Sequence, residues 1–519
     1  MCAVSKKIVY YIFRFFVSTK MKVLLLRPYW RTVSQRVTPP LGLMYLASYL
    51  REKLSAQVEI KILDMTLEKM GTRELKSQLD YFRPDLIGIT SLTYEAPALK
   101  VITELCKEMF PAVPVIVGGP HATEFYDYVL IDTKADVAVI GEGEQIFLEL
   151  VEKTLTGQDW AETLGIAYRD KEGEVIKTPS RPPINDLDAL PFPAWDLVDI
   201  ERYSQLPNMN DLLKASPYAL LFTSRGCPYG CIYCHQVFGK RFRPRSVQSL
   251  MKEINMLVEK YKVREFHIVD DIFNWDIERA KEVCREIISQ GLRMKIAFPN
   301  GIRGDRLDEE LIDLLYQAGC YSMAIAVETV TPRLQRMLHK NLDIGKVEKA
   351  IENVYLRGII PKGFFMLGFP TETIEEMENT VKFACRSKLL LASFFSVVPY
   401  PRTGLFELFR KEAPQKIVFQ DFVPPKFAYF SNNSFYQIVT GFDLASFVKK
   451  AYRRFYLNPF RILSLLYRVP WNLKLLEGFG RVITASFSVG RKLESMRNRY
   501  AHKKVYFDKL ELPPKKNNG

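Results

Sequence analysis

Cysteine is scarce in this chain: eight in 519 residues, five of them standing alone at positions 2, 106, 284, 320 and 385. A disulfide framework needs paired cysteines in a small secreted chain. That class is excluded, and a reducing, cytoplasmic compartment is expected. Long apolar runs are missing too. The nearest approach to the ~18–20 residues that span a bilayer is KKIVYYIFRFFVSTK, which Arg14 interrupts. No small-residue cleavage site follows it, so it does not read as a signal peptide. Residues 1–20 read as an extension ahead of Met21, which opens MKVLLLRP, or as a short basic amphipathic anchor. There is no G-x-G-x-x-G after the first strand pattern and no Gly-Lys-Ser/Thr phosphate loop, so no dinucleotide is expected. Acidic residues thin out towards the end: Gly441–Gly519 holds 17 Lys and Arg against 5 Asp and Glu. Most of the net charge of +14 sits in that tail, and the body is near neutral.

What is present is 48% apolar, enough for large cores in about three domains. From Met21 to about residue 160, KVLLL, VEIKIL, DLIGIT, PVIVGG and DVAVIG alternate with segments of helical spacing. Short, β-branched, nearly uninterrupted runs suit strands buried on both faces. An α/β domain with a doubly wound, Rossmann-like parallel sheet is expected there. A hairpin and a Pro-rich linker fill 161–210. In 211–405 six more strand patterns alternate with helices: YALLFTS, EFHIVDD, MKIAFPN, YSMAIAVE, PKGFFMLG and ASFFSVVPY. Six β/α repeats predict a partial (β/α)6 barrel. The remainder, 406–519, reads as a helical, aromatic, basic C-terminal region.

Three of the scarce cysteines are concentrated in TSRGCPYGCIYCHQ: Cys227, Cys231 and Cys234, spaced C-x3-C-x2-C. They follow the first strand of the second repeat series, on a loop with glycine and proline. Zinc would want a fourth ligand and usually a second pair; His235 is adjacent, but no second pair exists. Buried structural thiols would not explain three on one such loop. An iron–sulfur cluster explains them best: three thiolates hold three irons of a four-iron cube and leave the fourth open for chemistry.

This motif, after the first strand of a barrel, resembles the signature of radical S-adenosylmethionine (SAM) enzymes. The resemblance implies a [4Fe–4S] cluster on the three cysteines. Its open iron chelates SAM, and one electron yields a 5′-deoxyadenosyl radical that abstracts hydrogen from substrate. It implies an electron donor such as ferredoxin or flavodoxin. It places Tyr233 near the adenine, and Asp270, Asp271 and Glu328, at strand C-terminal ends, against SAM. GFPTET resembles the family's G-x-P-x-E-T segment, with Gly368 and Pro370 shaping a loop near SAM. For each carboxylate a salt bridge within the barrel is the alternative, and for GFPTET an ordinary turn with a threonine cap. Arg303 is a weaker candidate, and GKRFRPR reads as a solvated basic loop.

A doubly wound domain ahead of such a barrel, with PPLGL after its first strand and GGPH after its fourth, resembles the cobalamin-binding members of this superfamily. Ligands of open α/β sheets lie beyond the strands' carboxyl ends. The resemblance therefore implies cobalamin contacts from Thr38, Pro40, Gly42, Ser91, Thr93, Gly118, Gly119, His121, Gly141 and Gly143. The D-x-H-x-x-G pattern of many cobalamin domains is replaced by RPYWRTVSQRVTPPLG, which has no histidine. Base-off cobalamin without that protein ligand is expected, with His121 on another loop, lining the site.

Cobalamin-dependent radical SAM enzymes mostly methylate unactivated carbon or phosphorus. Methyl transfer to a hydrophobic, lipid-like molecule held between the domains is the expectation. Ring closure or rearrangement of a tetrapyrrole or lipid with the same cofactors is the alternative. A methylthiotransferase would need more cysteines in the first domain than Cys106. The basic, aromatic tail packs on the barrel or meets a membrane surface; no nucleic-acid motif accompanies it.

Overall fold

The computed structural model describes residues 20–30, 36–210, 212–235, 237–400, 402–412 and 434–468. The N-terminal extension and the tail beyond 468 lie outside the described residues.

The first sheet runs β1 (Met21–Arg27), β2 (Val58–Asp64), β3 (Leu86–Thr90), β4 (Val115–Gly118), β5 (Val137–Val139), β6 (Ile166–Arg169) and β7 (Val175–Lys177), in spatial order β2-β1-β3-β4-β5-β6-β7. The first five strands pair in parallel and the last two antiparallel. The hairpin is thus the edge of the first sheet, not part of the linker. Helices α1 (Leu41–Leu54), α2 (Thr72–Phe82), α3 (Ala96–Met109), α4 (Pro120–Asp132) and α5 (Gly143–Thr156) cover the two faces. Two cores result, one around Leu24, Leu26, Leu99 and Val117, the other around Val23, Leu25, Leu50 and Phe147. Alternate β1 residues feed opposite cores, which is why the strand reads as an unbroken apolar run. Strand order reverses between β1 and β3, the switch point where such sheets bind ligands.

The second sheet is wholly parallel and sequential: β8 (Tyr218–Leu221), β11 (Glu265–Ile268), β12 (Lys295–Ile302), β13 (Cys320–Glu328), β14 (Ile360–Leu367) and β15 (Leu391–Ser396). Between β8 and β11 lies the ladder β9 (Ser224–Arg225) with β10 (Arg243–Pro244), which is antiparallel. Crossover helices α6 (Val247–Tyr261), α7 (Ile277–Ser289), α8 (Glu309–Gln317), α9 (Ile344–Leu356) and α10 (Ile374–Arg386) cover the outer face. Side-chain caps start them, Ser246 for α6, Asp276 for α7 and Thr373 for α10. Four more helices follow: α11 (Gly404–Glu412), α12 (Phe435–Thr440), α13 (Leu444–Tyr456) and α14 (Pro459–Arg468).

The period of two separates the faces of β14 and β15. Phe365 and Phe394 stack at 5.3 Å on the outer face, where Phe383 of α10 and Tyr452 and Phe455 of α13 join them. Phe364 and Phe395 pair at 5.9 Å on the inner face and are half-buried. Opposite Phe364 the chain keeps small residues: a Cβ on Gly301 would meet Ala326 at 3.5 Å and the Phe364 ring at 3.7 Å.

Candidate active site

The cysteine loop hangs from a hydrogen-bonded base. After β8, Asp270 accepts from Thr223 N (2.6 Å), Thr223 Oγ1 (2.5 Å) and Ser224 Oγ (2.6 Å). The ladder β9–β10 then closes residues 226–242 into one loop, with Arg225 paired to Arg243. Gly226 has φ +83°, and a side chain there would run into the Arg241 carbonyl, so glycine is required. Asp271 accepts from Gly226 N at 3.2 Å, and Cys227 N donates to Gly239 O at 3.3 Å. Lys240 Nζ donates to Tyr229 O at 2.7 Å. Outside the loop, the Arg303 guanidinium lies 3.8 Å from the Tyr229 ring centroid, held by Asp305 at 2.8 Å.

Cys227, Cys231 and Cys234 are free thiols on this loop, the first two half-buried and the third exposed. Cys106, Cys284 and Cys320 are buried in cores. Among the described residues no three metal-binding side chains already close on one centre. The trio nonetheless shares one short loop, and its all-sulfur donor set suits an iron–sulfur cluster.

Two acidic residues at the mouth differ sharply. Asp270 is 3% exposed, and its carboxylate is spent on Thr223 and Ser224. Burial raises its pKa while those donors oppose the rise. It therefore braces the loop's base. Glu328, at the end of β13, does sit beside the loop. Its Oε1 lies 3.3 Å from Lys340 Nζ, which lies 3.1 Å from the Tyr233 hydroxyl. Glu328 has φ +65°; a non-glycine residue held there costs ~1–3 kcal/mol. The segment carrying Lys340 also touches the loop: Ile232 N donates to Leu338 O at 3.1 Å. Lys340 was missed from the sequence, where MLHKNL carries no recognisable signal.

Gly368, with φ +88°, is needed for packing: a Cβ there would lie 2.5 Å from Leu444 Cδ2 and 3.0 Å from Tyr436 Cβ. The space on that side belongs to α12 and α13. Pro370 is buried in the same turn. Glu372 holds that turn by accepting from Gly368 N (2.7 Å) and Phe369 N (2.9 Å), and burial pushes its pKa to about 8.

In the first domain, Ser91, Gly118, Gly119 and His121 come together at the ends of β3 and β4. Ser91 N donates to Gly118 O at 3.1 Å, and His121 N to Ser91 O at 3.0 Å. Gly119, φ +90°, lets the chain pass Thr90 and Ser91, where a Cβ would lie 2.6 Å from Thr90 Oγ1. Gly141, after β5, has φ +89° and open space where a side chain would be. Thr93 is half-buried in the next turn. Thr38 O accepts from Arg27 Nη1 at 2.7 Å, and Pro40 precedes α1. Two glycines serve helices instead. Gly42 is exposed in the first turn of α1, and a Cβ on Gly143, at the start of α5, would meet Leu46 at 3.3 Å. His121 is in the first turn of α4 rather than on a loop, 4% exposed, with Nδ1 unpartnered. Burial pushes its pKa down to about 4, so the imidazole is neutral. Small residues, open space beside Gly141 and an orphaned buried nitrogen fit a large ligand such as a corrin.

The basic segment before α6 is not a solvated loop. Arg243 and Arg245 are 3% and 5% exposed; Arg245 pairs with Glu253 of α6, and Arg243 pairs with Glu142 across the domain boundary. Arg402 makes a second crossing, to Asp127 of α4 at 2.6 Å. The barrel mouth and the carboxyl ends of the first sheet thus meet.

A barrel with a three-thiol loop after its first strand, faced by a doubly wound domain, defines a radical SAM enzyme with a cobalamin domain. The radical SAM superfamily matches residues 221–384, and the B12-binding domain family matches residues 31–151. An uncharacterized methyltransferase of Pyrococcus horikoshii is 32% identical over 75% of this chain and 83% of its own. The cytidylyl-2-hydroxyethylphosphonate methyltransferase of Streptomyces wedmorensis is 31% identical over 73% and 79%. An anaerobic magnesium-protoporphyrin IX monomethyl ester cyclase of Rubrivivax gelatinosus is 28% identical over 84% and 78%. The radical SAM methyltransferase TsrM of Kitasatospora setae shares the fold, with TM-score 0.64 at 20% identity over 77% of this chain and 78% of that one. The chain belongs to the cobalamin-binding radical SAM family and falls with its cobalamin-dependent methyltransferases. Its cofactors are a [4Fe–4S] cluster, SAM and cobalamin.

Proposed function

We propose that the enzyme methylates an unactivated carbon of a hydrophobic, lipid-like molecule. The observation that carries this is the inner barrel face, where half-buried Phe364 and Phe395 pair and the small residues Gly301 and Ala326 flank Phe364. Aromatic rings with small residues beside them suit an apolar body, with binding driven by burial rather than by hydrogen bonds. When bound, the cluster with SAM supplies the hydrogen-abstracting radical, and cobalamin supplies the methyl group. The chain's own contribution is placement. Cys227, Cys231 and Cys234 hold the cluster, while Asp270 and Asp271 fix the backbone of their loop. Glu328 and Lys340, opposite charges beside Tyr233, suit the amino-acid end of SAM. Ser91, Gly118, Gly119, Gly141 and His121 border the corrin. Reconstituted enzyme incubated with membrane-lipid extract is the test: a product heavier by one methylene supports the reading. A product lighter by two hydrogens would favour ring closure, the second reading, which the likeness to the Rubrivivax cyclase supports.

The reduction of the cluster would come from a small electron carrier such as ferredoxin or flavodoxin. We also infer that the protein works at a membrane surface. No helix among the described residues is long and apolar enough to cross a bilayer. On α14, Arg461 and Leu465 are buried, while Phe460, Leu463 and Tyr467 are 80%, 63% and 92% exposed, with Leu457 beside them at 63%. Residues 444–468 hold six Lys and Arg and no Asp or Glu. An exposed apolar face on a segment whose charged residues are all basic suits an anionic bilayer. Flotation with vesicles should rise with phosphatidylserine content and fall with salt; protein that stays soluble on anionic vesicles at low salt removes this part.

A further inference from the structure

Glu142 is the N-cap residue of α5 and Glu144 lies in its first turn, in the first domain, yet their carboxylates are committed to the second. Glu144 Oε1 is 2.6 Å from Arg225 Nη2, and Glu142 Oε2 is 3.1 Å from Arg225 Nη1. The other Glu142 oxygen meets Arg243. Arg225 and Arg243 are the paired residues of the ladder that closes the base of the cysteine loop. All four side chains are at most 7% exposed. The surroundings complete the enclosure: the Arg225 guanidinium lies 5.2 Å from the Tyr45 ring of α1 and 5.1 Å from Phe238 of the cysteine loop. Arg243 also donates to Phe238 O at 2.8 Å and to Ile184 O of the linker.

Buried ion pairs of this kind add little net stability, because desolvation offsets the attraction; what they impose is geometry. Docking two domains needs only apolar contact. Forking two carboxylates onto the two arginines of one ladder fixes a loop. We propose that Glu142 and Glu144 are positioning residues for the cysteine loop. The first domain sets the orientation of residues 226–242, so the corrin-bordering loops and the cluster loop form one rigid unit. The inference rests on the family reading only for what the loop holds; the clamp itself is a property of the chain without cofactors.

Hydrogen exchange on the full-length apoprotein tests it. With both Glu142→Gln and Glu144→Gln, exchange within 226–242 should speed by roughly tenfold or more, while β13 and β14 keep their protection. Arg225→Lys, which keeps the charge but not the fork, should loosen the same loop less. Arg402→Ala breaks a different crossing, at Asp127, and should leave the loop unchanged. If the double variant exchanges like the parent there, or if Arg402→Ala loosens the loop equally, the proposal is overturned. Should the double variant not fold, Arg225→Lys decides: an unaltered loop overturns it. Iron content after reconstitution reports the cluster assignment separately, so failure of one reading is not mistaken for failure of the other.

Discussion

The two loops that meet at the domain boundary are built in opposite ways. The cysteine loop, 226–242, keeps its cysteines half-buried or exposed and is shaped by bonds to its backbone: Gly226 N donates to Asp271, Cys227 N to Gly239 O, and Lys240 Nζ to Tyr229 O. The loop 140–144 of the first domain keeps its charged groups buried and spends them on a neighbour. In one, side chains are left over for a ligand. In the other, only the backbone and the space beside Gly141 are left over. A residue's availability, more than its type, separates site from scaffold.

The largest effect should come from the leftover side chains. Changing Cys227, Cys231 or Cys234 to Ala should abolish SAM cleavage, whereas Cys106→Ala, in a core, should keep it. Iron analysis of anaerobically reconstituted protein should give about four irons per chain for the parent. SAM cleavage retained by Cys231→Ala would erase the distinction drawn above.

Scaffold groups should instead alter stability. Asp270→Asn keeps the shape but strips a charge that accepts three bonds, and should cost ~2–4 kcal/mol in denaturant unfolding. Glu372 offers a pH test of the same kind. Its folded pKa of about 8 lies above its ordinary value of 4.5. Between those values the folded state binds the extra proton, so stability falls as pH rises from about 4.5 to 8. Glu372→Gln is neutral throughout and keeps an acceptor for Gly368 N and Phe369 N. It should flatten that slope, gaining on the order of 1–3 kcal/mol relative to the parent at pH 8. An unchanged slope would mean that Glu372 is charged in the fold.

Much of the fold was legible in the sequence because it rests on local pattern. Predominantly apolar runs marked all eleven parallel strands, most cleanly where both faces are buried, as in β1 and β3, and less so at the edge strand β2, where Glu59 is exposed. The thiol spacing marked the cluster loop for the same reason: its ligands are neighbours in the chain. What stayed illegible depends on partners far away. Arg243 looks like one of several cations in GKRFRPR, and only Glu142, 101 residues earlier, makes it a buried anchor. Asp270 looks like a barrel-mouth carboxylate, and the bonds it accepts come from Thr223 and Ser224, 47 and 46 residues earlier. The hairpin 166–177 was set apart from the first sheet because nothing local reveals which edge a hairpin joins. That Gly368 packs against Tyr436 and Leu444, some seventy residues on, has no sign in GFPTET.

The smallest effect should come from His121, which belongs to neither pattern. It is buried like scaffold yet keeps an unpartnered ring nitrogen like a site residue. Its ring packs 5.3 Å from Phe125, and its own backbone N is tied to Ser91 O, which fix it within α4. Neutral throughout the physiological range, it could accept a hydrogen bond from a corrin side chain, but the helix leaves it little freedom to swing onto a metal. His121→Ala should therefore weaken cobalamin binding only about two- to tenfold, the loss of one hydrogen bond. Electron paramagnetic resonance of the cob(II)alamin form should show no axial nitrogen splitting in either protein. Splitting present in the parent and absent in His121→Ala would make this histidine the cobalt ligand, and would place a side-chain ligand in the half of the site assigned here to backbone and open space.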